Sequence, residues 1–212
     1  MLKAVLFDFD GTLADTGQIL YKVYDQLSQK HDLPSMPYEE LEKLRSLPIR
    51  ERFKKAGVPL FKLPGIARDA LPIYTKYILT TEPFPGIREL LKNLREQDFI
   101  LGIISSNNVM NINKFLEDHD LEFFDLIRCT SGLFGKHRTI KQVLKDLELQ
   151  GEQAVYVGDE IRDIIACKKV PIKIIAVSWG YDHLSLLREG NPDKLVYNPG
   201  DIPDVIKELQ TP

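Results

Sequence analysis

Residues 1–16 read MLKAVLFDFDGTLADT. The run Ala4-Val5-Leu6-Phe7 is apolar without alternation, which is how a strand covered on both faces reads. It stops on two carboxylates, Asp8 and Asp10, and Gly11 and Thr12 follow at once. An exposed turn accounts for one acid. Two acids with one residue between them, at the mouth of a buried strand, call for a further charge nearby.

Outward from this stretch the pattern divides in two. From about residue 16 to residue 80 nothing reads as a strand. Ile19, Leu20, Val23, Tyr24 and Leu27 share one helical face, and Leu41 and Leu44 mark a short helix. Residues 49–55 suggest another. Ile66, Ala70, Leu71, Ile73, Tyr74, Tyr77 and Ile78 mark a longer one, with Pro72 in its first turns or starting it anew. After Pro83 and Pro85 helices and strands alternate. Ile87, Leu90, Leu91 and Leu94 form a helical stripe, and residues 99–104 a buried strand. Strands are expected at 125–130, 154–157, 173–178 and 194–197, with helices at 109–117, 140–147, 162–169 and 203–209. The expected class is α/β: a three-layer, Rossmann-like parallel sheet formed by residues 1–15 and 83–212, with residues 16–82 inserted between its first two strands as an all-helical cap.

Composition excludes several alternatives. The 212 residues carry a net charge of -3, so there is no electrostatic case for nucleic acid or an anionic membrane. No segment approaches the roughly 20 apolar residues that cross a bilayer. The first apolar run is short and ends in Asp8, unlike a signal peptide. Cys129 and Cys167 have no CxxC or His-rich partner and read as two reduced, packed thiols. A cytoplasmic monomer or homodimer is expected.

In an open α/β sheet, ligands bind beyond the carboxyl ends of the strands. The first strand is followed there by Asp8, Asp10, Gly11 and Thr12, and the second by Ser105, Ser106, Asn107 and Asn108. Lys136 follows Gly132 and Gly135 after the third, and GDEIRD, with Asp159, Glu160 and Asp163, ends the fourth. Several carboxylates brought together repel one another unless a cation joins them. A ligand set of oxygens alone suits a hard ion, Mg²⁺ first. Such an ion leaves room for a phosphate, for which Ser105, Lys136 and the first-loop amides of Phe9, Gly11 and Thr12 are natural donors, with Ser106 beside them.

These residues resemble the haloacid dehalogenase-like hydrolase superfamily. DFDGT at residues 8–12, IISS with Ser105, GLFGK with Lys136 and GDEIRD at residues 158–163 match its four motifs in order. PFPGIRELLKNL and AVSWGY are similar to the phosphoglycolate phosphatase-like branch. The resemblance implies a nucleophilic Asp8 that forms an aspartyl-phosphate and an Asp10 that moves protons. It further implies Mg²⁺ held by Asp8, the Asp10 carbonyl and Asp159, with Asp163 and Glu160 supporting the metal. Ser105 and Lys136 would bind the phosphoryl group of a small phosphorylated metabolite, phosphoglycolate first. Ser106 and His137 depart from the commonest pattern, where many relatives have Asn and Pro.

Each residue also has a plainer reading. Asp8 could cap a helix, Ser105 could sit in a turn and Lys136 could be a solvated lysine. Arg45, Arg50 and Arg52 could reach a substrate carboxylate from the cap, or be ordinary surface charge. The Tyr74–Tyr77 stripe reads as core packing in preference to substrate stacking, and Trp179-Gly180-Tyr181 as a packed loop near the site. A sugar-phosphate mutase, a 2-haloacid dehalogenase and a non-catalytic phospho-acceptor remain alternatives. The second acid, Asp10, argues against the dehalogenase.

Overall fold

The computed structural model describes residues 1–130 and 135–210. Ala4–Phe7 forms β1. Four helices follow: α1 (Gly17–His31), α2 (Tyr38–Leu44), α3 (Ile49–Lys55) and α4 (Leu63–Ile78). The chain continues through α5 (Ile87–Glu96), β2 (Ile100–Ser105), α6 (Val109–Asp118), β3 (Leu126–Cys129) and α7 (Lys136–Asp146). It ends with β4 (Ala154–Gly158), α8 (Ile161–Lys168), β5 (Lys173–Val177), α9 (Leu184–Glu189), β6 (Lys194–Val196) and α10 (Ile202–Gln210).

The six strands form one parallel sheet in the order β3-β2-β1-β4-β5-β6. This is the expected α/β class, and the side chains show why. Along β1, Val5 and Phe7 join one apolar cluster, while Ala4 and Leu6 join the other. The first cluster takes Leu90, Leu91 and Leu94 from α5, Ile112 and Phe115 from α6, and Ile202 and Ile206 from α10. The second takes Ile140 and Val143 from α7, Ile164 and Cys167 from α8, and Leu187 from α9. Successive strand residues point to opposite faces, so a sheet covered on both sides needs the unbroken apolar runs that the sequence carries. Gly102 in β2 is required by packing, because a Cβ there would lie 2.8 Å from Leu6 Cδ2 and 3.0 Å from Leu126 Cδ1.

The chain leaves β1 and returns to α5 through two adjoining segments. Asp15 N–H donates to Glu82 C=O (3.0 Å) and Phe84 N–H to Leu13 C=O (3.0 Å), with Ala14 bridged antiparallel to Pro83. The helices α1 and α4 between them pack together over the edge of the first cluster through Ile19, Val23, Leu27 and Ile78.

Three local expectations are corrected. Pro72 lies inside α4 rather than in its first turns; Pro64 occupies the start of that helix. Pro72 and Arg68, whose carbonyl loses its usual donor, are both exposed, so water can satisfy that carbonyl. Leu71 is 46% exposed and off the packed stripe. Cys129 is exposed on the edge strand β3, while Cys167 is buried; neither forms a disulfide. The short helix α9, six residues long, is too brief for a helical period to show.

Candidate active site

The sheet register brings the site together. Phe7 stands opposite Ile103 on one side and Val157 on the other. Asp8 is therefore level with Ile104 and Gly158, and Ser105 and Asp159 lie one residue beyond. Asp8 N–H still donates to Val157 C=O (2.8 Å), so the first acid continues the ladder. The chain order reverses between β1 and β4, and the crevice at such a reversal is where α/β sheets bind ligands.

Asp8 is 5% exposed. Its Oδ2 accepts a hydrogen bond from Lys136 Nζ (2.6 Å), and its Oδ1 accepts the Phe9 amide (2.8 Å). Lys136 Nζ also donates to Asp163 Oδ1 and lies 5.4 Å from the centre of the buried Tyr156 ring. Burial raises the Asp8 pKa; Lys136 draws it back down, leaving it at about 7. Burial alone would lower Lys136, but the charges of Asp163 and Asp8 outweigh it and hold the ammonium above its ordinary range.

Asp8, Glu160 and Asp163 present carboxylate oxygens within 4.8 Å of one another, all buried. Gly158 makes room for this, since a Cβ there would lie 2.8 Å from Asp163 Cγ. Glu160 and Asp163 also cap α8 reciprocally, side chain to backbone, and Glu160 ion-pairs with Arg162. Asp159, fully buried, is turned aside. Its Oδ1 accepts from Thr12 Oγ1 (2.8 Å) and its Oδ2 from Tyr181 N–H (2.7 Å). Gly11, at φ 74°, passes so close that a Cβ would lie 2.9 Å from Asp159 Cγ. Burial, then the charges of Glu160, Asp8 and Asp163, push the Asp159 pKa well up. The donors are all oxygens and all buried, and burial together with the neighbouring carboxylates raises the pKa of Asp8 and of Asp159. That chemistry fits a hard divalent cation, which would lower the pKa of both Asp8 and Asp159. The convergent set contains Asp8 with Glu160 and Asp163. Asp159 adjoins it, and the Asp10 side chain points elsewhere.

Asp10 reaches toward the helical insert. Its Oδ1 accepts a hydrogen bond from Tyr74 Oη on α4, and Asn107 Nδ2 lies 3.3 and 3.2 Å from its two oxygens. Ser105 Oγ is 3.5 Å from Asp10 Oδ2 and accepts the Asn107 amide (3.1 Å). Burial raises the Asp10 pKa against the lowering effect of Tyr74 and Asn107. Sequence reasoning passed over Tyr74 and Asn107. The Tyr74 ring does pack on the core, as its stripe suggests, but its hydroxyl enters the site. Asn107 stood in view in the SSNN run after β2; the signal was the strand end.

The other expected donors are placed as follows. The Gly11 amide donates to Ala14 C=O and the Thr12 amide to Phe9 C=O, so these amides, like that of Phe9, already have partners within the protein. Phe9 turns its ring edge-on to Phe115 in the core. Ser106 and Arg50 are exposed. Gly132 falls outside the described residues, whereas Gly135 precedes α7. Arg45 and Arg52 face the core loop after β5. In that loop Trp179 Nε1 donates to Thr12 C=O (3.1 Å).

Comparison with known proteins gives the family and the fold. The family profile described as haloacid dehalogenase-like hydrolase matches residues 5–177. A phosphoglycolate phosphatase of Synechococcus elongatus is 27% identical over 209 residues, covering 98% of this chain and 99% of its own. Pyrophosphatase PpaX of Halalkalibacterium halodurans is 23% identical over 214 residues, covering 97% of each. In fold, a haloacid dehalogenase-like hydrolase from Streptococcus pneumoniae superposes with a TM-score of 0.82 at 22% identity, over 97% of this chain and 98% of its own. CbbY of Rhodobacter sphaeroides, solved with phosphate, gives a TM-score of 0.74 at 19% identity over 95% and 96%. The family match defines the chain as a hydrolase with an acid-lined switch point on a parallel sheet, and the chain belongs to the haloacid dehalogenase-like hydrolase family. Among the described residues no helix is long and apolar enough to cross a membrane.

Proposed function

We propose that the protein is a Mg²⁺-dependent phosphatase of a small phosphorylated metabolite, with phosphoglycolate and pyrophosphate the first substrates to try. The observation that carries this reading is the buried Asp8–Lys136 pair at the end of β1, with Asp10 two residues on and Glu160 and Asp163 alongside. Relatives named for both substrates match nearly the whole chain. Residues 16–82 act as a cap over the site, a role supported by the contact of Tyr74 with Asp10.

Asp8 attacks phosphorus; a bond forms from its carboxylate oxygen and the bond to the leaving oxygen breaks. Asp10 hands that oxygen a proton, and its burial, which raises its pKa, favours the protonated form that step needs. Asp10 then takes a proton from the water that attacks the aspartyl-phosphate, releasing inorganic phosphate and restoring Asp8. Ser105 and Lys136 bind phosphoryl oxygens, and Lys136 keeps Asp8 oriented. Asp8, with Asp159, the Asp10 carbonyl, Glu160 and Asp163 as the available oxygens, would hold the cation, which would supply charge neutralisation between carboxylate and phosphate. The cap excludes water during the first step.

The test is phosphate release from a panel of phosphoglycolate, pyrophosphate, sugar phosphates and nucleotides, with and without Mg²⁺. Asp8→Asn should lower turnover on the order of 10³-fold or more, since nothing replaces a lost nucleophile. Substantial residual hydrolysis in that variant removes Asp8 from the role. Sugar-phosphate isomerisation outrunning hydrolysis would instead favour the mutase.

A further inference from the structure

Arg45 and Arg52 sit where a cap could read a substrate's acid group, yet their hydrogen bonds are committed elsewhere. Arg45, at the end of α2, donates from Nη2 to Gly180 C=O (2.6 Å), from Nε to Tyr181 C=O (2.8 Å) and from Nη1 to Glu42 (2.7 Å). Its own carbonyl accepts the His183 amide (2.9 Å). Arg52, on α3, ion-pairs with Asp182; the two side chains are 14% and 1% exposed. Arg52 Nε also donates to Leu47 C=O (2.6 Å).

The loop these arginines grip is the one that holds Asp159. Tyr181 N–H donates to Asp159 Oδ2, and Gly180 packs so tightly on Asp159 that any Cβ would overlap it. Asp182 Oδ2 accepts the amide of Ile161 (2.6 Å), the first residue of α8, just past Asp159 and Glu160. The Tyr181 hydroxyl bonds Thr16, at the entry to the helical insert. Each of Gly180, Tyr181, Asp182 and His183 thus contacts the insert, and three of them also contact Asp159 or the start of α8.

We propose that Arg45 and Arg52 are positioning residues that latch the helical insert onto residues 180–183 and, through that loop, set the Asp159 carboxylate; they do not bind substrate. The physics is that of a buried ion pair. Releasing Arg52 leaves Asp182 buried without its counter-charge, which favours parting of the loop from the insert. The latch rests on these contacts alone, while its bearing on turnover rests on the phosphatase reading.

The reporter is the His183 amide, whose acceptor belongs to the insert. In the full-length protein, hydrogen exchange at His183 should speed up about tenfold in Arg52→Gln, the scale of one lost charge-assisted contact, while Val155 and Val157 in β4 keep their protection. Arg52→Lys should restore part of it. The double variant Arg52→Gln/Asp182→Asn removes both charges together, avoids an orphaned buried carboxylate, and should show the same deprotection. Unchanged exchange at His183 in both Gln variants overturns the latch. In turnover, loss of the latch lowers kcat/KM alike for phosphoglycolate and for p-nitrophenyl phosphate, whose leaving group carries no carboxylate. A rise in KM confined to phosphoglycolate makes Arg52 a substrate ligand and overturns the proposal too. If the wild-type protein hydrolyses nothing on the panel, the phosphatase reading fails, and exchange at His183 still decides the latch.

Discussion

A carboxylate buried as deeply as that of Asp8 holds a proton up to about pH 7 in the metal-free protein, because burial outweighs the pull of Lys136. Its folded pKa lies above the ordinary 3.8, so between these values the folded chain carries a proton that the unfolded chain has lost. This group's contribution therefore favours the folded state as pH falls from 7 toward 4, and disfavours it above 7. A divalent cation needs the carboxylate, so binding must expel the proton. Calorimetric Mg²⁺ titrations in buffers of different ionisation enthalpy should show more proton release at pH 6 than at pH 8. Equal release at both pH values would detach Asp8 from the ion. Asp8, Asp10, Lys136 and Asp163 were legible because each follows a strand or opens the next helix, and position in the chain locates that end of a parallel sheet. Tyr74 and Tyr181 were not. Their hydroxyls arrive through packing between distant segments, and helical periodicity reports only which face of a residue is buried.

At the level of elements, periodicity sufficed wherever one face is covered. The α5 stripe Ile87, Leu90, Leu91 and Leu94 is buried at all four positions. Leu91, fully buried in the first cluster, anchors that helix to the sheet. Leu91→Ala should cost about 2–5 kcal/mol, read as a lower urea midpoint with an unchanged m-value. A loss well under 1 kcal/mol would mean that α5 rearranges to fill the gap. The α4 interior around Pro72 shows the limit of local rules. A proline mid-helix is costly in isolation, but here its face is solvated and the packed residues on either side carry the helix across it. The α9 turn shows another limit: six residues offer too few repeats to separate from a loop.

Across the whole molecule, alternation of strands and helices identified the sheet, but not the order β3-β2-β1-β4-β5-β6, which depends on pairing between strands far apart in sequence. That order places β1 centrally and β3 at an edge. Cys129 lies there in the open, opposite Ser105, while Cys167 lies between α8 and the sheet. Burial pushes both thiols up, Cys167 far more than Cys129, so thiolate is scarce at the buried position. A maleimide dye should therefore attach once per native chain and a second time only after denaturation. The chain carries its own single-site tag on the edge strand, paired in register with Ser105, and a fluorophore placed there offers a reporter of ligand binding without any engineered cysteine.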